Sequence, residues 1–177
     1  MEDTLFECRY EYDENVNKEY LRFIHFTMPS RIIYFAFCLL IIGIVSAQSI
    51  YYLTVNNKSL CIFCWVLAVV YAALFLFLII GRYRRDMTTS RRRRFELFGN
   101  SAAVFEYSVN DKEIRYNNLA NHQEIIVSLS SIVKLYETKN LIILKSNAKI
   151  LHIFTKSGFT KGTPDEFVRF MRSTGCR

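Results

Sequence analysis

Residues 32–53, IIYFAFCLLIIGIVSAQSIYYL, and residues 60–81, LCIFCWVLAVVYAALFLFLIIG, decide the fold. Each is 22 residues long and holds no Asp, Glu, Lys, Arg or His. At about 1.5 Å rise per residue, either forms a helix about 33 Å long, enough for a hydrocarbon layer about 30 Å thick. The whole-chain averages, 51% hydrophobic and mean hydropathy +0.13 over 177 residues, conceal this because the apolarity is concentrated in these two stretches. An ordinary soluble domain is excluded on that ground, and disorder by the 15 Phe and 11 Tyr. A cleaved signal peptide fits poorly: Val45-Ser46-Ala47 resembles a cleavage site, but 31 residues precede the first stretch in place of a short basic segment.

Between the stretches lies a short polar turn, Thr54-Val55-Asn56-Asn57-Lys58-Ser59. Beyond the second come Arg82, Arg84, Arg85, Arg91, Arg92, Arg93 and Arg94 against the single Asp86, while Lys18, Arg22 and Arg31 precede the first. The positive-inside rule then predicts a transmembrane hairpin (residues 32–81) with both termini cytoplasmic. Tyr34, Tyr51, Tyr52 and Trp65 fall near the ends of the stretches, where amphipathic rings sit at headgroup level.

The seven arginines are the candidate binding residues for anionic lipid headgroups or an acidic partner, since such clusters beside a membrane helix contribute about 1 kcal/mol per charge. The bland alternative is that they only fix topology. Nucleic acid is not expected, because a net charge of +7 concentrated at the membrane exit needs no polyanionic partner. An intramolecular partner is also available: residues 1–20 carry seven acidic side chains against Arg9 and Lys18, so this arm is expected to pack near the basic segment.

The flanks are structured. Phe6, Cys8, Tyr10 and Tyr12 alternate with Glu7, Arg9 and Glu11, the pattern of a half-buried strand. At Asp13, a good N-cap, the period changes, and Val16, Tyr20, Phe23, Ile24 and Thr27 form one helical stripe ending before Pro29. Residues 1–31 thus read as a strand and an amphipathic helix, and residues 82–100 as a basic juxtamembrane linker. From residue 101 onward six short antiparallel strands are predicted, at residues 103–109, 112–117, 123–129, 133–138, 141–145 and 149–154. Thr163, Pro164 and Glu166 then start a helix with a capping box, and Phe167, Phe170 and Met171 form its apolar face. The expected class is an α+β membrane protein: a two-helix hairpin plus an antiparallel barrel or sandwich, analogous to pleckstrin-homology folds, capped by a C-terminal helix. A lone strand is unstable, so the N-terminal one is expected to complete the sheet at its edge.

The order of these parts, with the stretches Phe6-Glu-Cys-Arg-Tyr-Glu-Tyr-Asp13, Ser130-Ser-Ile-Val-Lys-Leu-Tyr-Glu137 and Ile153-Phe-Thr-Lys-Ser-Gly-Phe159 leading into Glu166-Phe167, resembles the YcxB-like family of bacterial membrane proteins. The resemblance implies location in the bacterial cytoplasmic membrane and a cytoplasmic module like a pleckstrin-homology domain. It implies no reaction and transfers no catalytic residue. This chain has Thr155 where the family pattern has Pro.

Little else suggests catalysis. Cys61-Ile62-Phe63-Cys64 looks like a redox C-x-x-C near the outward end of the second membrane stretch, where oxidation is allowed, but cysteines at such a spacing also serve as small packing residues. His25, His122 and His152 are too dispersed for a metal site, and His152 reads as a satisfied core histidine. Tyr107, Tyr116 and Tyr136 read as sheet core before binding platform. Lys156 and Lys161 flank the loop before the last helix, whose N-terminus could attract an anion. No cofactor is expected. The function expected is a non-enzymatic membrane protein that presents a cytoplasmic interaction domain to an unidentified protein partner; an oligomer is allowed but not required. The alternatives are an immunity protein neutralising a toxin at or beneath the membrane, and a thiol-disulfide oxidoreductase using Cys61 and Cys64.

Overall fold

The computed structural model describes residues 4–98, 103–119 and 123–176. His122, named above, lies outside them, as do Glu2 and Asp3 of the acidic arm, and Arg94 is described in its backbone alone. The chain divides into two compact units, one of residues 21–89 and one that joins residues 1–20 to residues 90–177.

The first unit contains α2 (Pro29–Thr54) and the larger part of α3 (Lys58–Phe98), helices that are each long and apolar enough to cross a membrane. They are joined through Asn56, which takes the left-handed conformation (φ 59°) that Asn tolerates better than most residues. Asn57 Oδ1 then accepts from the Leu60 main-chain N–H at 3.3 Å, in the manner of a cap at the start of α3. The helices meet antiparallel along a seam with heptad-like spacing. Phe35, Cys38 and Ser49 of α2 face Phe75, Tyr71 and Cys61 of α3, at 5.7 Å between the Phe rings, 3.4 Å from the Tyr71 hydroxyl to Cys38 Sγ, and 3.1 Å from the Ser49 hydroxyl to the Cys61 carbonyl. Cys38, Ser49, Cys61, Cys64 and Ala68 are the buried residues of this seam, small enough to let two backbones approach. Outward, the side chains are apolar and uncovered: Phe77 is 73% exposed and Ile33 71%.

The second unit holds two antiparallel sheets. The larger has the order β4-β3-β2-β1-β8, from β1 (Phe6–Glu11), β2 (Val104–Val109), β3 (Glu113–Asn118), β4 (Gln123–Ser128) and β8 (Phe159–Lys161). The smaller has β5 (Ile132–Glu137), β6 (Leu141–Ser146) and β7 (Leu151–Thr155) in sequence order. The sheets do not close into a barrel, because β4 and β5 are separated by a short 3-10 turn at Leu129–Ser131 and belong to different sheets. They share one core with α4 (Pro164–Ser173): Phe6, Tyr107, Ile114, Leu144, Phe154, Phe167 and Met171 are all buried in it. The Phe154 ring lies 4.3 Å from Tyr107 and 4.9 Å from Phe167, linking both sheets to the helix.

Several expectations need correction. The N-terminal strand is not an edge: β1 pairs with β2 on one side, Cys8 opposite Tyr107, and with β8 on the other, Cys8 opposite Phe159. The short β8 falls in the stretch read as a loop, its three residues being too few for a period. The amphipathic helix is broken into α1 (Glu14–Arg22), begun by Asp13 Oδ1 accepting from the Val16 N–H at 2.7 Å, and a π-helical turn, Phe23–Thr27. The wider turn rotates the buried face, so Phe23 and His25 are inside while Thr27 is exposed. The basic linker is a continuation of α3, helical to Phe98.

Candidate functional site

The π turn sets up the candidate site. It aims His25 at α3, where Nε2 lies 2.9 Å from Asp86 Oδ2 and the ring stands edge-on to Tyr83 at 5.8 Å. Phe26 stacks on Phe35 of α2 and tilts against Tyr83. Asp86, the single acid among the exit arginines, is thus engaged by a histidine. Beside this pair a cavity of about 560 Å³ opens, in the range of ordinary ligand pockets. Its lining is cationic in part, with Arg31, Arg82 and Arg85 beside His25, and apolar in part, with Phe35, Phe75, Leu78 and Ile79. No acidic side chain pairs with Arg31, Arg82 or Arg85 among the described residues.

The seven predicted arginines are therefore not one site. Arg82 and Arg85, three apart on one face of α3, enter the cavity, joined by Arg31 from the first turns of α2. Arg84 is exposed elsewhere, Arg92 pairs with Glu96 at 2.7 Å, and Arg93 is exposed. Arg84 and Arg91, like Arg85 and Arg92, are seven residues apart and share a stripe, while Arg82 and Arg93 lie on a third, so the charges ring the helix. The acidic arm does approach the end of this run: Arg91 Nη2 is 4.0 Å from Glu14 Oε2, and the Ser90 hydroxyl donates to Asn17 Oδ1 at 2.8 Å. Arg31 was read only as a topology charge and His25 only as an isolated histidine. The signal that unites them with Arg82 and Arg85 is the antiparallel register of the seam, in which residue numbers facing each other add to about 110.

A second concavity, about 520 Å³, covers the outer face of the larger sheet. Its two arginines are engaged: Arg9 pairs with Glu106 at 3.3 Å and Arg115 with Glu113 at 2.7 Å, and Glu7 and Glu124 add further acid to the lining. A face whose arginines are already paired with carboxylates has less to offer an anion than three guanidiniums with no acidic partner, so the hairpin cavity is the stronger candidate.

The other sequence candidates find plain structural places. Cys61 and Cys64 are reduced and buried in the helix seam, with Cys61 Sγ 3.2 Å from the Ser49 hydroxyl. Tyr107 is core, stacked with Tyr10, and burial pushes both phenols well above the usual value. Burial likewise pushes the Cys8 thiol up to about 11, against the opposing effect of its hydrogen bond to the Thr155 carbonyl, so it stays a thiol. The anion site considered at the start of α4 is already filled from within: the Glu166 carboxylate accepts from the Thr163 N–H at 2.9 Å and its hydroxyl at 2.8 Å. Lys156 is tied to Glu137 at 2.6 Å. His152 is buried as expected but not satisfied: Nε2 has no hydrogen-bond partner, and burial lowers its pKa. Among the described residues no group of three or more His, Cys, Asp or Glu is placed to hold a metal ion.

No family model and no curated protein matches the chain.

Proposed function

We propose that this is a non-enzymatic integral membrane protein whose hairpin crosses the bilayer and holds the β unit at the cytoplasmic leaflet as an interaction module. The observation that carries this reading is the outward face of α2 and α3, where only 11% of either apolar window is buried within the protein. A water-soluble chain would have to cover that surface, and lipid covers it at no cost. Strand pairing supports the crossing number. β1 precedes the hairpin and pairs with β2 and β8, which follow it, so both flanks occupy one compartment. Two crossings satisfy this and one does not. The arginines beyond residue 81 favour the cytoplasm as that compartment by the positive-inside rule. The resemblance to the YcxB-like family agrees with this arrangement, and the open edge β4, with Ile125 and Ile126 exposed, is a surface through which a protein partner could be met.

The test is labelling of intact cells with a membrane-impermeant maleimide, using Asn57→Cys in the hairpin turn and Ser157→Cys in the β unit. The native cysteines are buried and give little background. Labelling of position 57 and protection of position 157 until the membrane is opened is the expected result; the reverse pattern, or equal labelling, overturns the proposal. A photo-crosslinker at Ile126 in the same cells reads out the partner.

A further inference from the structure

We propose, resting on that membrane reading, that the hairpin cavity is a binding site for one anionic phospholipid, its phosphate held by Arg31, Arg82 and Arg85 and its upper acyl chain laid against Phe35 and Phe75. The cavity has the two chemistries such a ligand needs, side by side. Its cationic lining comes from α2 and α3 together, and its apolar lining belongs to the same helices a turn or two further into the apolar stretches. Basic pockets between membrane helices at the cytoplasmic side are a recurrent way of seating anionic headgroups.

Charge decides between lipid classes. Three guanidiniums line the space, and Asp86, the nearest acid in sequence, is already engaged by His25 at 2.9 Å. A zwitterionic headgroup would bring an ammonium into this field with no carboxylate among the lining residues to receive it. A headgroup carrying only negative charge meets no such repulsion. Arginine also suits the phosphate, because its planar fork offers paired N–H donors to two phosphate oxygens. Asp86 stands one residue from Arg85, and the π turn carries the histidine that engages it.

The test uses the full chain in detergent and in nanodiscs of phosphatidylcholine with or without phosphatidylglycerol, read by native mass spectrometry. The expected result is one phosphatidylglycerol retained through detergent exchange, against no retained phosphatidylcholine. The variant Arg31→Gln/Arg82→Gln/Arg85→Gln loses occupancy on the order of a hundredfold, the combined effect of three charges near a membrane surface. The control Arg84→Gln/Arg91→Gln/Arg93→Gln removes the same charge outside the cavity and keeps the lipid. Equal loss in both triple variants means diffuse adhesion and overturns the site, as does equal retention of the two lipids by the parent. Displacement of phosphatidylglycerol by millimolar inorganic phosphate, with phosphate then retained, overturns the lipid as occupant. The comparison of lipids in the parent needs no variant, so misfolding of a triple mutant leaves a decisive result. A chain that enters nanodiscs in the labelled orientation yet retains no lipid defeats this inference alone; a chain that does not enter them defeats the membrane reading beneath it.

Discussion

Gly158→Ala probes the central architectural feature, the seating of the N-terminal strand among strands far behind it in sequence. Gly158 ends the turn Lys156–Gly158, which lies against β1. A Cβ there would stand 2.6 Å from the Arg9 carbonyl oxygen, 2.5 Å from Thr155 Oγ1 and 3.2 Å from Cys8 Sγ. The threonine can rotate away. The Arg9 oxygen is backbone in a strand paired on both sides, and it must retreat by about 0.8 Å to reach ordinary contact near 3.4 Å. The glycine backbone here is not left-handed, so the whole effect is steric. Overpacking of this kind costs about 1–3 kcal/mol, which in a unit of roughly a hundred residues lowers the melting temperature by about 5–20 °C. The assay is thermal unfolding of the detergent-solubilised chain by near-ultraviolet circular dichroism of the buried tyrosines, with trypsin cleavage after Arg9 as a local readout. Gly43→Ala, with nothing within 4 Å of its added Cβ, is the matched control and leaves both signals in place. A Gly158→Ala chain that melts within about 2 °C of the parent, with Arg9 equally protected, refutes the packing of β1 against this turn.

Glu19 accepts from the Thr138 hydroxyl at 2.6 Å and from the Asn140 main-chain and side-chain amides at 2.9 and 2.8 Å, anchoring α1 to the turn between β5 and β6. Burial raises its pKa, but these hydrogen bonds and Lys139 outweigh it and the net shift is downward. Its contribution is therefore complete above the ordinary carboxylate value and lost as pH falls through the lower folded value. Glu19→Gln costs about 1–2 kcal/mol at pH 7, and urea titrations of mutant and parent converge at pH 3. His152 acts in a higher window. Its lowered pKa means that the neutral ring's stability is complete above the unfolded value near 6.5 and declines as pH falls from there toward the folded value. His152→Leu removes both this dependence and an unpaired buried nitrogen, so its melting temperature at pH 5.5 exceeds the parent's; a parent with no loss between pH 7 and 5.5 counts against it. In the hairpin, Cys61→Ala with Cys64→Ala preserves helix association, whereas Ser49→Leu overpacks a fully buried seam position and costs about 1–3 kcal/mol. Disulfide trapping of an engineered cysteine pair across α2 and α3 reports both, and equal trapping in Ser49→Leu argues against the seam.

What was legible in the sequence follows from the range of the interactions concerned. The apolar lengths of residues 32–53 and 60–81, the Asp13 and Thr163 caps and the strands from 104 to 155 are local facts: an uncharged run, a hydrogen bond three residues away, a period of two. Each survives in the structure within a few residues. The seam of the hairpin was half legible, since Cys38, Ser49, Cys61 and Ala68 are small residues among large ones, yet their antiparallel register depends on where the turn at Asn56 falls. The π turn was not legible, because Val16, Tyr20, Phe23 and Ile24 satisfy an ordinary helical stripe, and the partners of His25 in that turn, Asp86 and Tyr83, lie some sixty residues away. The position of β1 was beyond local reading altogether. Its alternation says that one face is buried, but a strand has two hydrogen-bonding edges whatever its side chains, and the choice between edge and interior is made by β8, three residues carrying no period of their own. The same logic governs the candidate site. Charge density singled out the arginine run as a block, but a block of sequence on a helix is spread round its circumference. Of the run, only Arg82 and Arg85 line the cavity with Arg31, and a cavity formed by two helices is set by their register and not by the charge of either one.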